Sequence, residues 1–199
     1  PFEFTREQIT ESIEENDGRL VVKGVLQKAK EQNQNGRVYT RKLLEREAGK
    51  YQELIKDKRA LGELDHPDSA IVNLQNVSHN VKKMWWEGDA LMGAVEVLGT
   101  PAGNILKELF KSEITLGISS RGMGTTREHE GTTVVNDDFE LVAFDFVSNP
   151  STRGAFLEPV NLNESVEVEE KIITDGRACT KYCKVEGLVH EILGEIGDA

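Results

Sequence analysis

Hydrophobic positions recur at two different periods along this chain. In "GRLVVKGVLQKAKEQ" (18–32) apolar and β-branched residues open an alternation with polar ones, which predicts a strand. "NQNGR" (33–37) follows as a turn signal. In "YTRKLLEREAGKYQELIKDK" (39–58) Leu43, Leu44, Tyr51, Leu54 and Ile55 fall mostly on one stripe, which predicts a helix with Thr40 as N-cap. Two apolar runs within 71–99 flank "EGD", the signature of a hairpin turning near Gly88. "TPAGNILKELFKS" (100–112) sets Thr at the N-cap and Pro at the first helical position. Strands are predicted over 113–126 and 132–151, with "REHEG" (127–131) as their connector. Residues 1–16 are polar, either a helix or a loose arm. Beyond Pro159 the pattern changes: 161–171 is acidic with no apolar face, and 180–197 resembles a short amphipathic helix. There is no internal repeat.

These elements predict a β-rich α+β domain over 18–160, an N-terminal arm over 1–17 and an acidic tail over 161–199. A chain of 199 residues is long enough for one domain with a substantial core. The net charge of −11 argues against general nucleic-acid binding. No apolar run approaches the length of a membrane span, and the opening "PFEFTREQITESIEEN" is unlike a secretory signal. The only cysteines, Cys179 and Cys183, are expected to be reduced thiols; a pair alone does not make a zinc site.

Three stretches carry candidate chemistry. "LGISSRGMG" (116–124) sets two serines between apolar strand residues and an Arg-Gly pair. A serine nucleophile needs a base to take its proton and donors where the oxyanion forms, and glycines let backbone N–H groups approach closely. A Gly/Ser-rich strand end would look the same. Of the four histidines, His79 lies on a predicted strand face with Val77 and Val81, His129 in a charged connector and His190 in the tail helix. His66, in "LGELDHPDS" (61–69), sits in a polar loop stiffened by Pro67, the best setting for a base. A carboxylate could orient its ring: Glu63 or Asp65 nearby, or Asp145 in "LVAFDFVSNPS". Asp145 interrupts an apolar strand, which is costly unless it is paired or turned outward by strand alternation. Glu63, Asp65, His66 and Asp68 cluster within six residues, but they lack calcium-loop or zincin spacing.

Together "RALGELDHP" (59–67), "MWWEGDALMGAVEV" (84–97), "GISSRGMG" (117–124) and "FELVAFDFVSNPS" (139–151) resemble the prohead proteases of T-even-type tailed bacteriophages. These capsid-maturation serine proteases are similar in fold to herpesvirus assemblins. The resemblance covers about residues 20–160. It implies an α+β fold with a β-barrel-like core flanked by helices, and a serine endopeptidase acting by acyl transfer without metal or organic cofactor. It implies His66 as general base and a serine of "GISSRG" as nucleophile, Ser119 by its place directly after Ile118, with Ser120 as the alternative. In assemblins the third group is a second histidine; none stands in the matching strand here. Asp145 takes the role in this reading, with Glu63 in reserve, and Arg121 and Gly122 form the oxyanion environment.

The resemblance also implies substrates and place. The enzyme would sit inside the immature capsid, in the host cytoplasm, as a homo-oligomer touching neither nucleic acid nor membrane. It would trim phage scaffold or core proteins and the major capsid protein, and finally itself, after Leu or Ile, any residue, then Glu. Such triplets end at Glu15 and Glu164, where a cut would remove 1–15 and 165–199 as propeptide-like arms. The rival expectation is a non-catalytic core or scaffold protein binding capsid components through its acidic surface and a Trp85/Trp86 patch.

Overall fold

A computed structural model describes residues 4–161 of the chain. The acidic tail, with Glu164, Cys179, Cys183, His190 and the helix expected over 180–197, lies outside the described residues. The described elements run α1 (Arg6–Glu15), β1 (Val21–Lys28), β2 (Arg37–Val38), α2 (Arg41–Lys56), β3 (Leu61–Glu63), β4 (Val77–Glu87), β5 (Ala90–Val97), α3 (Pro101–Lys111), β6 (Gly117–Met123), β7 (Thr126–His129), β8 (Thr132–Val135), β9 (Glu140–Val147) and β10 (Leu157–Pro159).

The helices start where the chain supplies acceptors for their free N–H groups. Thr40 Oγ accepts from Leu43 N at the start of α2, and Thr100 Oγ from Gly103 N at the start of α3. Thr5 and Gln8 close a reciprocal capping box on α1. The expected arm over 1–17 therefore contains a helix, and it is docked. Phe4 and Ile9 belong to the main core cluster, and Ser12 Oγ donates across to the carbonyls of Val21 and Val160.

Five strands form an antiparallel sheet in the order β10-β1-β5-β4-β3, with β4 and β5 turning through Gly88 as the "EGD" signal predicts. β6 and β9 form a separate antiparallel ribbon, and β2, β8 and β7 a small third sheet in which β2 runs parallel to β8. The expected β-barrel-like core is thus α+β but not a closed barrel. Among the described residues, β-pairing between the ribbon and the large sheet's edges is limited to single bridges, Leu64 with Phe146 at one edge and Gly117 with Phe156 at the other. Phe110, Phe144, Phe146, Leu106, Ile118 and Leu157 fill the space between ribbon, sheet and helices, each at most 1% exposed.

Two boundaries differ from the sequence reading. Arg127–His129 of the expected connector belong to the strand β7, which pairs with β8 in a hairpin turning at Glu130 and Gly131. The run 132–151 is two strands, β8 and β9, separated by a turn in which Phe139 N donates to Asn136 O.

Candidate active site

The β6–β9 ribbon carries the serines. In its register Ser119 lies directly opposite Asp145 and Ser120 opposite Phe144. Cross-strand partners project to the same face, so Ser119 and Asp145 share one face and Ser120 points to the other. The hydrogen bonds agree. Ser120 Oγ accepts from Gln27 Nε2 of β1 at 2.8 Å, and Gln27 in turn accepts from Thr152. Ser119 Oγ lies 3.2 Å from Ser151 Oγ, at the wall of an open cleft of about 450 Å³ that Ser120 also borders.

His66 reaches the same face from the loop after β3. The register of β3 on β4 shifts between Gly62 and Glu63, and Leu64 bridges to Phe146 of β9. Asp65 then takes a left-handed conformation (φ 71°), its N–H bonded to Phe146 O at 2.9 Å. Aspartate is one of the few non-glycine residues that tolerate this region. The turn sets His66 above β9, with Nδ1 3.0 Å from Asp145 Oδ2. A carboxylate can only accept, so a hydrogen bond across this distance requires the ring proton on Nδ1 and leaves Nε2 as the basic nitrogen. The His66 side chain is 40% exposed and lines the cleft together with Ser119, whereas Asp145 is fully buried. The outward alternative for Asp145 is thus excluded: the face opposite its phenylalanine neighbours is itself covered.

Arg121 makes that burial tolerable. Its Nε lies 2.9 Å from Asp145 Oδ2, and its Nη2 lies 2.8 Å from Glu63 Oε1 and 3.2 Å from Asp145 Oδ1. Its Nη1 donates to Ser69 O at 3.0 Å. Glu63 N–H donates to Asp145 Oδ1, and Asn73 N–H to Glu63 Oε1, both at 3.0 Å. One buried guanidinium therefore ties together β6, β9, β3 and the loop that carries His66.

The Arg121 guanidinium is committed to carboxylates. Of the two residues expected around the oxyanion, Gly122 lines the Ser119 cleft, and Arg121 lines an adjoining opening together with His66 and Gly122. The carboxylate held against His66 is Asp145, while Glu63 is turned to Arg121 and Asn73. Among the described residues no cluster suited to a metal ion is present.

The remaining candidates are occupied elsewhere. His79 is buried, bonded to Ser78 Oγ and to Phe144 O, each at 2.8 Å, and burial pushes its pKa down to about 4. His129 is exposed in the β7–β8 hairpin. In the Trp85/Trp86 patch, Trp86 lies under the Arg41 guanidinium at 3.5 Å and Trp85 Nε1 donates to Glu87. The sequence reading did not single out Ser151, Gln27 or Thr152. Ser151 stands inside "FVSNPS", and its link to Ser119 depends on the chain returning after Pro150.

Comparison with known proteins gives a consistent result. A family model described as prohead core protein serine protease matches residues 8–167. The chain is 32% identical over 175 residues to the prohead core protein protease of Enterobacteria phage T4, covering 82% of each chain. Its fold is similar to the structure of the bacteriophage T4 capsid assembly protease gp21, with a TM-score of 0.59 at 30% identity, covering 64% of this chain and 80% of that one.

Proposed function

This chain belongs to the prohead core protein serine protease family, and from that membership we propose that Ser119, His66 and Asp145 are the groups through which it cleaves peptide bonds. The observation that carries the assignment is the His66 Nδ1–Asp145 Oδ2 contact of 3.0 Å at the cleft that Ser119 lines. Ser119 Oγ attacks the scissile carbonyl as His66 Nε2 takes its proton. Asp145 holds the imidazole in the required tautomer and stabilises the imidazolium. The protonated His66 then hands the proton to the leaving amine as the C–N bond breaks and the acyl-enzyme forms. Water, deprotonated by the same nitrogen, attacks the ester and frees the carboxyl product. Backbone N–H groups around Gly122 are the candidates for stabilising the oxyanion.

The substrates we propose are the scaffold or core proteins and the capsid protein of the immature phage head, cut inside it after Leu or Ile, any residue, then Glu. Self-cleavage after Glu15 and Glu164 belongs to the same proposal. Glu15 is exposed and ends α1, whereas Asn16 is buried with its Nδ2 donating to Val160 O at 2.9 Å. A protease cleft binds extended backbone, so the last turn of α1 has to unwind before that bond is cut. Glu164 lies outside the described residues.

Intact mass of the full chain, followed over time, tests the proposal. The wild type should lose residues 1–15 or 165–199. Ser119→Ala and His66→Ala should abolish the loss, and Ser120→Ala should only slow it. Processing that survives Ser119→Ala and stops in Ser120→Ala would move the nucleophile to Ser120.

A further inference from the structure

The Ser119 cleft differs in charge from the chain that forms it. The chain carries 35 acidic residues and a net charge of −11. Yet among the described residues no Asp or Glu lines this cleft, and the basic side chains that line it are His66 and Arg37. Carboxylates are not far away; they are engaged elsewhere. Asp138 accepts from Thr125 N at 3.0 Å, and Asp145 and Glu63 are buried against Arg121. The opening therefore meets solvent through amides, hydroxyls and one guanidinium.

Arg37 is exposed and has no ion-pair partner among the described residues, although most of the other described arginines are paired with a carboxylate. Its backbone is fixed at both ends. Asn33 Oδ1 accepts from Arg37 N–H at 3.0 Å, Asn33 N–H donates to Arg37 O at 2.9 Å, and β2 pairs with β8. Tyr39, on the same strand edge, lines the cleft beside it, as do Asn35, Thr125 and Thr126. A guanidinium on a pinned backbone, in a cleft lined by neutral polar groups and by no carboxylate of the described residues, suits an incoming carboxylate bidentately.

We propose that Arg37 is the specificity-determining residue of this cleft and that it binds an acidic side chain of the substrate beside the scissile bond. The inference rests on the serine-peptidase reading and adds to it the residue that selects the substrate. Arg37 takes no part in bond making.

The test uses the full-length chain and internally quenched peptides that differ only in carrying Glu, Gln or Lys before the cut. The wild type should prefer Glu over Gln. Arg37→Gln should lower the Glu-to-Gln ratio of kcat/KM by about tenfold or more, the range of one charge-assisted contact. Arg37→Lys should keep part of the preference, and Arg37→Glu should turn it toward Lys. A Glu-to-Gln ratio in Arg37→Gln equal to that of the wild type would overturn the proposal. So would a wild type without preference for Glu. Labelling of wild-type Ser119 by a neutral fluorophosphonate separates the two failures. Labelled enzyme with no Arg37-dependent selectivity sinks this proposal alone. Enzyme that neither labels nor cuts sinks the serine-peptidase reading and this proposal with it.

Discussion

Replacing Arg121 by Met keeps the side chain's length and removes its charge. In the folded protein that charge sits between Glu63 and Asp145, whose side chains are 1% and 0% exposed. The variant leaves both carboxylates buried with two backbone N–H donors, Glu63 and Asn73, and the half-exposed His66. Removing one partner of a buried ion pair costs about 3–5 kcal/mol, because the other charge is left uncompensated. Two carboxylates depend on this cation, which argues for the upper part of that range. Domains are stable by only about 5–15 kcal/mol, so the loss is a third or more of the total. With a urea dependence of about 2 kcal/mol per M, the midpoint should fall by about 2 M. Urea unfolding followed by fluorescence of Trp85 and Trp86 measures it.

A companion substitution isolates the cause. Glu63→Gln in the parent breaks the pair and should destabilise. In the Arg121→Met background the same substitution removes one stranded charge and should recover about 1–2 kcal/mol, the scale of coupling expected between contacting residues. The change of sign is what electrostatic compensation requires; loss of packing alone would give the same sign in both backgrounds. A midpoint for Arg121→Met within about 0.5 M of the parent, or Glu63→Gln destabilising equally in both, would refute the reasoning.

His79 predicts a pH dependence. Its pKa is pushed down to about 4 by burial, so between its ordinary 6.5 and 4 the unfolded chain binds a proton that the folded chain refuses. The stability is fully present above about pH 6.5 and falls with pH by up to about 3 kcal/mol at 1.4 kcal/mol per unit; urea midpoints at pH 7.5 and 5 should differ in the parent and converge in His79→Gln. Gly62→Ala should unfold the protein or shift its midpoint strongly, since a Cβ there meets the Phe144 carbonyl and the His79 ring, and circular dichroism of the purified variant will tell. Asp145→Asn should lower kcat by about 10³- to 10⁴-fold through the wrong tautomer of His66, measured with a Leu-x-Glu peptide on material shown to be folded.

The parts of the fold that were legible in the sequence have local causes. Thr40 and Thr100 cap their helices through neighbours three residues away, Pro101 takes the first helical position where no N–H is needed, and Gly88 turns its hairpin within four. β7 gave no such signal. All four of its residues, Thr126–His129, are exposed, so nothing forces alternation, and a charged hairpin reads as a loop. The barrel expectation failed for another reason. Closure depends on whether the outer strands of two sheets pair along their length, and here the ribbon reaches β3 and β10 through single bridges. No residue pattern within a strand reports how many rungs its edge will make.

The candidate site divides along the same line. His66 and Ser119 stand out because each breaks its surroundings, a ring in an acidic turn and a hydroxyl at the glycine end of an apolar strand. Asp145 stands out because a carboxylate among phenylalanines is costly, and the cost points to a partner without naming it. The partner is Arg121, 24 residues before Asp145 and 58 after Glu63. Flanked by Ser120 and Gly122, Arg121 reads as part of the oxyanion environment and gives no sign of its carboxylate partners, whereas the fold buries it to 5% against them. A nucleophile or a base needs chemistry that one residue type supplies, so composition betrays it. Neutralising a buried charge needs only some cation within about 3 Å, and distance is a property of the folded chain. The same asymmetry holds for Arg37: what singles it out is a cleft lining that, among the described residues, holds no carboxylate, which 35 acidic residues in the sequence give no reason to expect.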